Sequence, residues 1–213
     1  MQREWDERAR KNARHFVATG QKAWTREEFL ESGRATVRNE ILTDLENICQ
    51  GRDPRAMRVL EIGCGAGRIT RALAEVFGEV HGVDISGEML RVARELLAGS
   101  PNAFVHQNNG MDLRVLGELE FDFAFSFIVF QHIPSQAVIE SYVREVHRVL
   151  RPGGLFKFQV EGVPGKAPRN DTWFGAPFSA PEALAMAERS NFEARYSTGA
   201  GTQYFWLWFF RKG

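Results

Sequence analysis

The chain has 213 residues, 44% of them apolar, with 27 lysines and arginines set against 27 aspartates and glutamates. That length suits one domain of ordinary size with a small addition, and the balanced charge offers no bulk field to draw nucleic acid or an anionic membrane. Cys49 and Cys64 make neither a disulfide framework nor a zinc site, the opening Met1–Arg8 run lacks the apolar core of a signal peptide, and no apolar run nears the ~20 residues of a membrane helix, so a reduced, cytoplasmic setting without metal is expected.

From Arg3 to Ala18, Trp5, Ala9, Ala13, Phe16 and Val17 are scattered at helical spacing among charges, which predicts an amphipathic helix ended by Gly20. Thr25-Arg26-Glu27-Glu28 has the form of a helix cap, and Phe29, Leu30, Val37, Ile41, Leu42, Leu45 and Ile48 follow in helical register. Residues 1–50 thus read as an N-terminal helical cap. Gly51-Arg52-Asp53-Pro54 breaks the pattern and opens the main domain, residues 51–213. Short apolar runs then alternate with helical patterns, predicting strands at Arg58–Ile62, Val80–Val83, Ala103–His106, Phe121–Phe127 and Leu155–Val160. Between them fall helices at Arg68–Phe77, Gly87–Leu97 and Gln136–Leu150. This order is that of an α/β fold, a parallel sheet with helices on both faces. Arg151-Pro152-Gly153-Gly154 reads as a helix stop and tight turn, followed by a helix at Pro181–Ser190, a strand near Ala194–Thr198 and the aromatic run Gln203–Phe210.

The most informative stretch is Val59-Leu60-Glu61-Ile62-Gly63-Cys64-Gly65-Ala66-Gly67-Arg68, an apolar strand that breaks into glycines at alternate positions before a helix. Such a turn lets a ligand approach bare backbone and points the first helical amides outward. A dinucleotide fingerprint wants glycines at the first, third and sixth positions, and here the sixth is Arg68. No Lys-Ser or Lys-Thr pair follows, which excludes a P-loop. Glu61 would repel a pyrophosphate but could pair with a ligand ammonium, so a cationic nucleoside fits better than an anionic one. Asp84 closes the second strand roughly 20 residues beyond the turn, where a carboxylate can accept hydrogen bonds from ribose hydroxyls. It could instead cap the next helix, although Ser86 is the better cap.

Glu61-Ile62-Gly63-Cys64-Gly65-Ala66-Gly67 resembles the first motif of the S-adenosylmethionine-dependent methyltransferases with a Rossmann-like fold (class I, similar to types 11 and 12), and the later segments follow that family's order from about Arg58 onward. The resemblance implies a doubly wound, seven-stranded, mostly parallel sheet with an antiparallel late strand, and S-adenosylmethionine as cofactor. It implies that Glu61 pairs with the methionine ammonium, that Gly63, Cys64, Gly65 and Gly67 admit the ligand, that Asp84 holds the ribose, and that Ile85 and Met89 border it. Asn109, Gly110 and Met111 fall where relatives contact adenine. Asn109 replaces the usual aspartate, and Asp112 could do that work instead or cap a helix.

Phe121-Asp122-Phe123-Ala124-Phe125-Ser126-Phe127 resembles the fourth-strand motif, whose C-terminal end faces the methyl donor, which puts Ser126, Phe127 and Gln131 among the cofactor contacts at the reaction edge, beyond the carboxyl ends of the strands. His132 is either a general base or a residue that locks the loop by bonding backbone, so no catalytic residue is assigned. Arg68 could reach the methionine carboxylate or stand in solvent. Trp173 and Phe174, in the connection Gly162–Ala180, are candidates to touch substrate. Phe29, Gly33 and Val37 could lie over the methionine portion, while His15 and His106 suggest no partner. The expected activity is methyl transfer to an oxygen, nitrogen or carbon of a small-molecule acceptor. Its rivals are an NAD-dependent oxidoreductase and a catalytically silent binding module.

Overall fold

The computed structural model describes residues 1–164 and 172–213, so part of the expected Gly162–Ala180 connection lies outside the described residues. In chain order the helices are α1 (Gln2–Val17), α2 (Arg26–Glu40), α3 (Leu45–Cys49), α4 (Arg68–Ala74), α5 (Gly87–Leu97), α6 (Gln136–Val149) and α7 (Ala180–Arg189). The strands are β1 (Arg58–Ile62), β2 (Glu79–Asp84), β3 (Ala103–Gln107), β4 (Phe121–Ser126), β5 (Leu150–Val160), β6 (Phe192–Thr198) and β7 (Phe205–Arg211). They form a seven-stranded sheet in the order β3-β2-β1-β4-β5-β7-β6, with β7 running antiparallel to both β5 and β6. Among the described residues no helix is long and apolar enough to cross a membrane. The chain divides into two compact units, Gln2–Asn108 and Asn109–Gly213.

In the first unit β1, β2 and β3 pair in parallel, Arg58 opposite Glu79 and Val80 opposite Ala103. α1 is two helical segments meeting at Asn12, whose Oδ1 accepts the His15 N–H at 3.1 Å and so caps the second segment from within. α2 starts at the full capping box of Thr25 and Glu28. The expected continuous helix through Ile48 is broken: a 3-10 turn at Leu42–Asp44 separates α2 from α3, and Thr43 Oγ1 donates to the Asn39 carbonyl at 2.7 Å. A hydroxyl bonding the previous turn competes with the helical ladder at that break.

α2 crosses α4 at backbone contact. A Cβ built on Gly33 would overlap the Arg68 carbonyl oxygen, while the Arg68 guanidinium donates through Nη1 to Ser32 O and Thr36 Oγ1, each at 2.9 Å. Gly33 therefore packs on α4, and Arg68 is a strut between helices, not a solvated side chain.

In the second unit β4 lies parallel to β5. The expected stop at Arg151–Gly154 is absorbed into β5 as a bulge, since Phe121 pairs with Leu150 but Phe123 with Leu155. The Arg151 guanidinium holds this bulge by donating to Asp122 at 2.9 Å. β7 is an interior strand, which accounts for its aromatic run. Phe209 meets Phe158 and Phe192 at 5.0 and 5.8 Å between ring centroids on one face. On the other, the buried Lys157 ammonium lies 5.3 and 4.8 Å from the rings of Trp206 and Trp208, a cation held by aromatic faces.

The helix crossing gives a direct test. Gly33→Ala forces α2 off α4 and is expected to cost about 1–3 kcal/mol, read as a lowered urea midpoint at unchanged slope. Gly20→Ala, whose Cβ meets only Trp24 at 3.9 Å, should leave the midpoint in place.

Candidate functional site

The glycine turn is tied to the end of β2 by backbone. The Val83 carbonyl accepts the N–H groups of both Gly63 and Cys64, at 2.8 and 3.0 Å. Asp84 then takes the next amide: its Oδ2 accepts Gly65 N–H at 2.9 Å and its Oδ1 accepts Ser86 N–H at 2.8 Å. Gly67, in the left-handed conformation, is the N-cap of α4. Cys64 faces Gly82 and is 2% exposed, and burial pushes its thiol well above the ordinary range, so it packs and does not react. Gly65 has φ +52 and lies against α1, where a Cβ would come within 2.7 Å of Val17 Cγ2.

Two acids border this turn. Glu61 is 3% exposed and accepts the Thr70 hydroxyl at 2.5 Å. Burial pushes its carboxyl up to about 7, outweighing the Thr70 bond and the Arg68 charge, which favour ionisation. Asp84 is pushed up to about 6 for the same reason, against the N–H groups of Ser86 and Gly65. Asp6 of α1 adds repulsion there, and its Oδ1 accepts Ser86 Oγ at 2.6 Å and Glu88 N–H at 3.2 Å, closing the start of α5. Carboxylates held against ionisation suit a ligand that brings positive charge or hydroxyl donors.

α1 borders the turn together with Phe29 of α2. Phe29 and Met89 are buried with Ala9, Ala13 and Ala66, with Val17 packed alongside. Ile85 is half-buried, and its carbonyl accepts Gln107 Nε2 at 3.2 Å. His106, for which the sequence suggested no partner, meets His81 at 2.9 Å, and His81 in turn meets Glu79 at 2.7 Å. His15 Nδ1 lies 2.8 Å from the Gln21 carbonyl.

In the second unit Asn109 forms its own turn: Oδ1 accepts the N–H of Met111 and Asp112 at 2.8 and 3.0 Å, and Nδ2 donates to Asp112 at 2.9 Å. Gly110 has φ +79 and Met111 is 58% exposed. At the end of β4, Ser126 is buried, and the Phe127 ring stacks on Phe125 at 6.3 Å. Gln131 is 4% exposed. His132 Nδ1 lies 2.9 Å from the Trp173 carbonyl, and the two rings are 5.3 Å apart. With the proton on Nδ1, His132 anchors a distant segment, a bond no local spacing announces. Trp173 is 38% exposed and Phe174 half-buried. Asp6 and Val17 were absent from the sequence-based site because their partners lie far along the chain.

The contact of α1 with the turn is testable. Gly65→Ala is expected to lower the melting temperature through both the clash and the positive φ. Adding Val17→Ala should recover only the steric part, so a double-mutant cycle on melting returns a favourable coupling between positions 17 and 65.

Residues 59–154 match the family profile described as the methyltransferase domain. The chain is 35% identical over 113 residues to a ubiquinone biosynthesis O-methyltransferase of Mesorhizobium japonicum, across 49% of this chain and 43% of that protein. It is 31% identical over 168 residues to a probable S-adenosylmethionine-dependent methyltransferase of Mycolicibacterium smegmatis, across 76% of this chain and 60% of that one. The chain thus spans about half the length of such relatives. Its fold matches an amino pentose methyltransferase of Micromonospora echinaspora, solved with S-adenosylmethionine bound, at a TM-score of 0.67 and 18% identity, covering 90% of this chain and 99% of that one. These likenesses favour a methyl donor over a nicotinamide dinucleotide. With the profile match, the sheet order and the glycine turn in agreement, the chain belongs to the class I S-adenosylmethionine-dependent methyltransferases of Rossmann-like fold.

Proposed function

We propose that this chain transfers a methyl group from S-adenosylmethionine to an oxygen, nitrogen or carbon nucleophile of a small-molecule acceptor, mainly by proximity and orientation. The observation that carries this reading is the pair of acids at the glycine turn, Glu61 and Asp84, both held above the ordinary carboxylate range by burial. Glu61 takes the methionine ammonium, Gly63, Cys64, Gly65 and Gly67 admit the ligand, and Asp84 takes the ribose hydroxyls. Ile85 and Met89 supply apolar surround on the same side. Asn109, Gly110 and Met111 are assigned to adenine, with the Asn109 side chain acting through the turn it already holds. Ser126, Phe127 and Gln131 stand at the reaction edge, and Trp173 and Phe174 are assigned to substrate.

When bound, S-adenosylmethionine supplies a methyl carbon on a sulfonium, an excellent leaving group. An electron pair of the acceptor would form the new bond while the carbon–sulfur pair leaves with sulfur, with inversion at the methyl, and any acceptor proton would be lost to water. Holding nucleophile and methyl in line can supply roughly 7–11 kcal/mol, which leaves little need for a nucleophilic triad. Small-molecule substrates are supported by the names of the ubiquinone-biosynthesis and amino pentose relatives.

The pH dependence follows from the acids. An ammonium pairs with ionised Glu61, and in the free protein that ionisation is lost as pH falls through about 7, with Asp84 following near 6. Binding must then remove a proton, so affinity weakens by up to about tenfold for each pH unit below the carboxyl pKa. Isothermal titration with S-adenosylhomocysteine should give a dissociation constant roughly tenfold higher at pH 6 than at pH 8. Glu61→Gln should bind weakly and lose that slope, and Asp84→Ala should bind roughly 10- to 100-fold more weakly. Parent-like binding by both variants, or thermal stabilisation by NAD alone, overturns the reading.

A further inference from the structure

The carboxyl edge of β4 and β5 carries features that the methyl-donor assignment leaves unused. Ile128 has φ +57, a left-handed conformation that costs a β-branched residue of order 1–3 kcal/mol. It is held there by Gln159, 3% exposed on β5, whose Oε1 accepts the Ile128 N–H at 3.0 Å. This clamp throws the chain off the strand into the turn Phe130–His132. A segment running from Trp173 to Phe178 straps that turn down. Its Trp173 carbonyl meets His132 Nδ1 at 2.9 Å, its Ala176 N–H donates to Ile133 O at 2.8 Å, and its Phe178 N–H donates to Glu161 O at 2.8 Å. Gly175 passes so close that a Cβ would lie 2.5 Å from the Gln131 carbonyl carbon.

Within this braced turn Gln131 is 4% exposed, and its Oε1 is buried with no hydrogen-bond partner among the described residues. A buried carbonyl left unpaired is costly, and the bracing holds the residue in place instead of letting it swing to solvent. The Gln131 Oε1 is an acceptor, so a ligand carboxylate or phosphate meets repulsion there and an N–H or O–H meets a partner.

We propose that Gln131 is an acceptor-binding residue, not a cofactor residue, and that its Oε1 receives a hydrogen bond from the amine or hydroxyl group that is methylated. The inference rests on the methyl-transfer reading and narrows it to protic nitrogen and oxygen acceptors. Gln131 orients the nucleophile's lone pair toward the methyl carbon by holding its hydrogen. The electron pair of the broken carbon–sulfur bond leaves with sulfur, and the acceptor proton passes to water, so Gln131 is neither base nor nucleophile. Gln159, which acts through Ile128, is a positioning residue.

The test compares the parent with Gln131→Met, which keeps length and removes the amide. Melting of the ligand-free protein should rise by about 2–4 °C, since an unpaired buried oxygen is exchanged for apolar atoms. A structural pillar would show the reverse. Methyl transfer from radiolabelled S-adenosylmethionine is measured on ethanolamine, glucosamine, catechol and benzoate. The parent should label an amine or hydroxyl probe in preference to benzoate. Gln131→Met should lose at least about tenfold in kcat/KM on that probe while its dissociation constant for S-adenosylhomocysteine stays within about threefold of the parent's. A lower melting temperature, an undiminished kcat/KM, or preferred labelling of benzoate overturns the inference. Absence of S-adenosylhomocysteine binding in the parent removes the methyl-transfer reading and this inference with it. Retained binding with no effect of Gln131→Met removes this inference alone, and if no probe is labelled the melting shift decides.

Discussion

The first unit depends on one carboxylate accepting two backbone amides. Asp84 takes the N–H of Gly65 after β1 and of Ser86 at the head of α5, joining the exits of adjacent parallel strands through a single side chain. Without it the Gly65 amide would lose its partner, and the turn would keep only the Val83 carbonyl, which holds Gly63 and Cys64, as its tie to β2. The same bond fixes Asp84 beside the glycine turn, so the group that shapes the turn is also the one assigned to the ribose in the proposed function.

Burial makes ionising Glu61 and Asp84 costly. With Glu61 raised to about 7 and Asp84 to about 6, the folded chain resists ionising them, whereas the unfolded chain ionises both readily. Their contribution therefore favours folding at low pH and is lost as pH rises through those values. In the proposed function, the ammonium and ribose hydroxyls of the methyl donor would offset that penalty with charge and donors. The Gln131 carbonyl and the strained Ile128 follow the same logic in the second unit, where the fold leaves a polar atom and a backbone angle unsatisfied within an otherwise paired turn.

The N-terminal helices divide their labour. α2 is locked to α4 by the Gly33 contact and the Arg68 bonds, which makes it part of the scaffold. α1 walls the glycine turn with Val17 and closes the start of α5 with Asp6. Asp6 also adds to the repulsion that raises Asp84.

What the sequence determined by itself is local. Strand and helix periods, the capping signals at Thr25 and Ser86, and the run of glycines after an apolar strand each arise from neighbours within a few residues and were legible, whereas the late antiparallel strand came from the family resemblance. Asp84 was legible for the same reason, since its spacing from the turn is set by one strand–helix–strand unit. The break of the second helix at Ile41 and the bulge in β5 were missed because each turns on one side-chain bond, Thr43 to Asn39 and Arg151 to Asp122, that competes with a strong periodic signal. Only the tertiary structure could decide that Arg68 braces a helix, that Val17 and Asp6 reach the glycine turn and α5, that His132 answers to Trp173, and that the Gln131 Oε1 is buried without a partner among the described residues. Those outcomes rest on contacts between residues distant in the chain, or on the lack of one, and burial and pairing at such range are set by packing, not by composition or spacing.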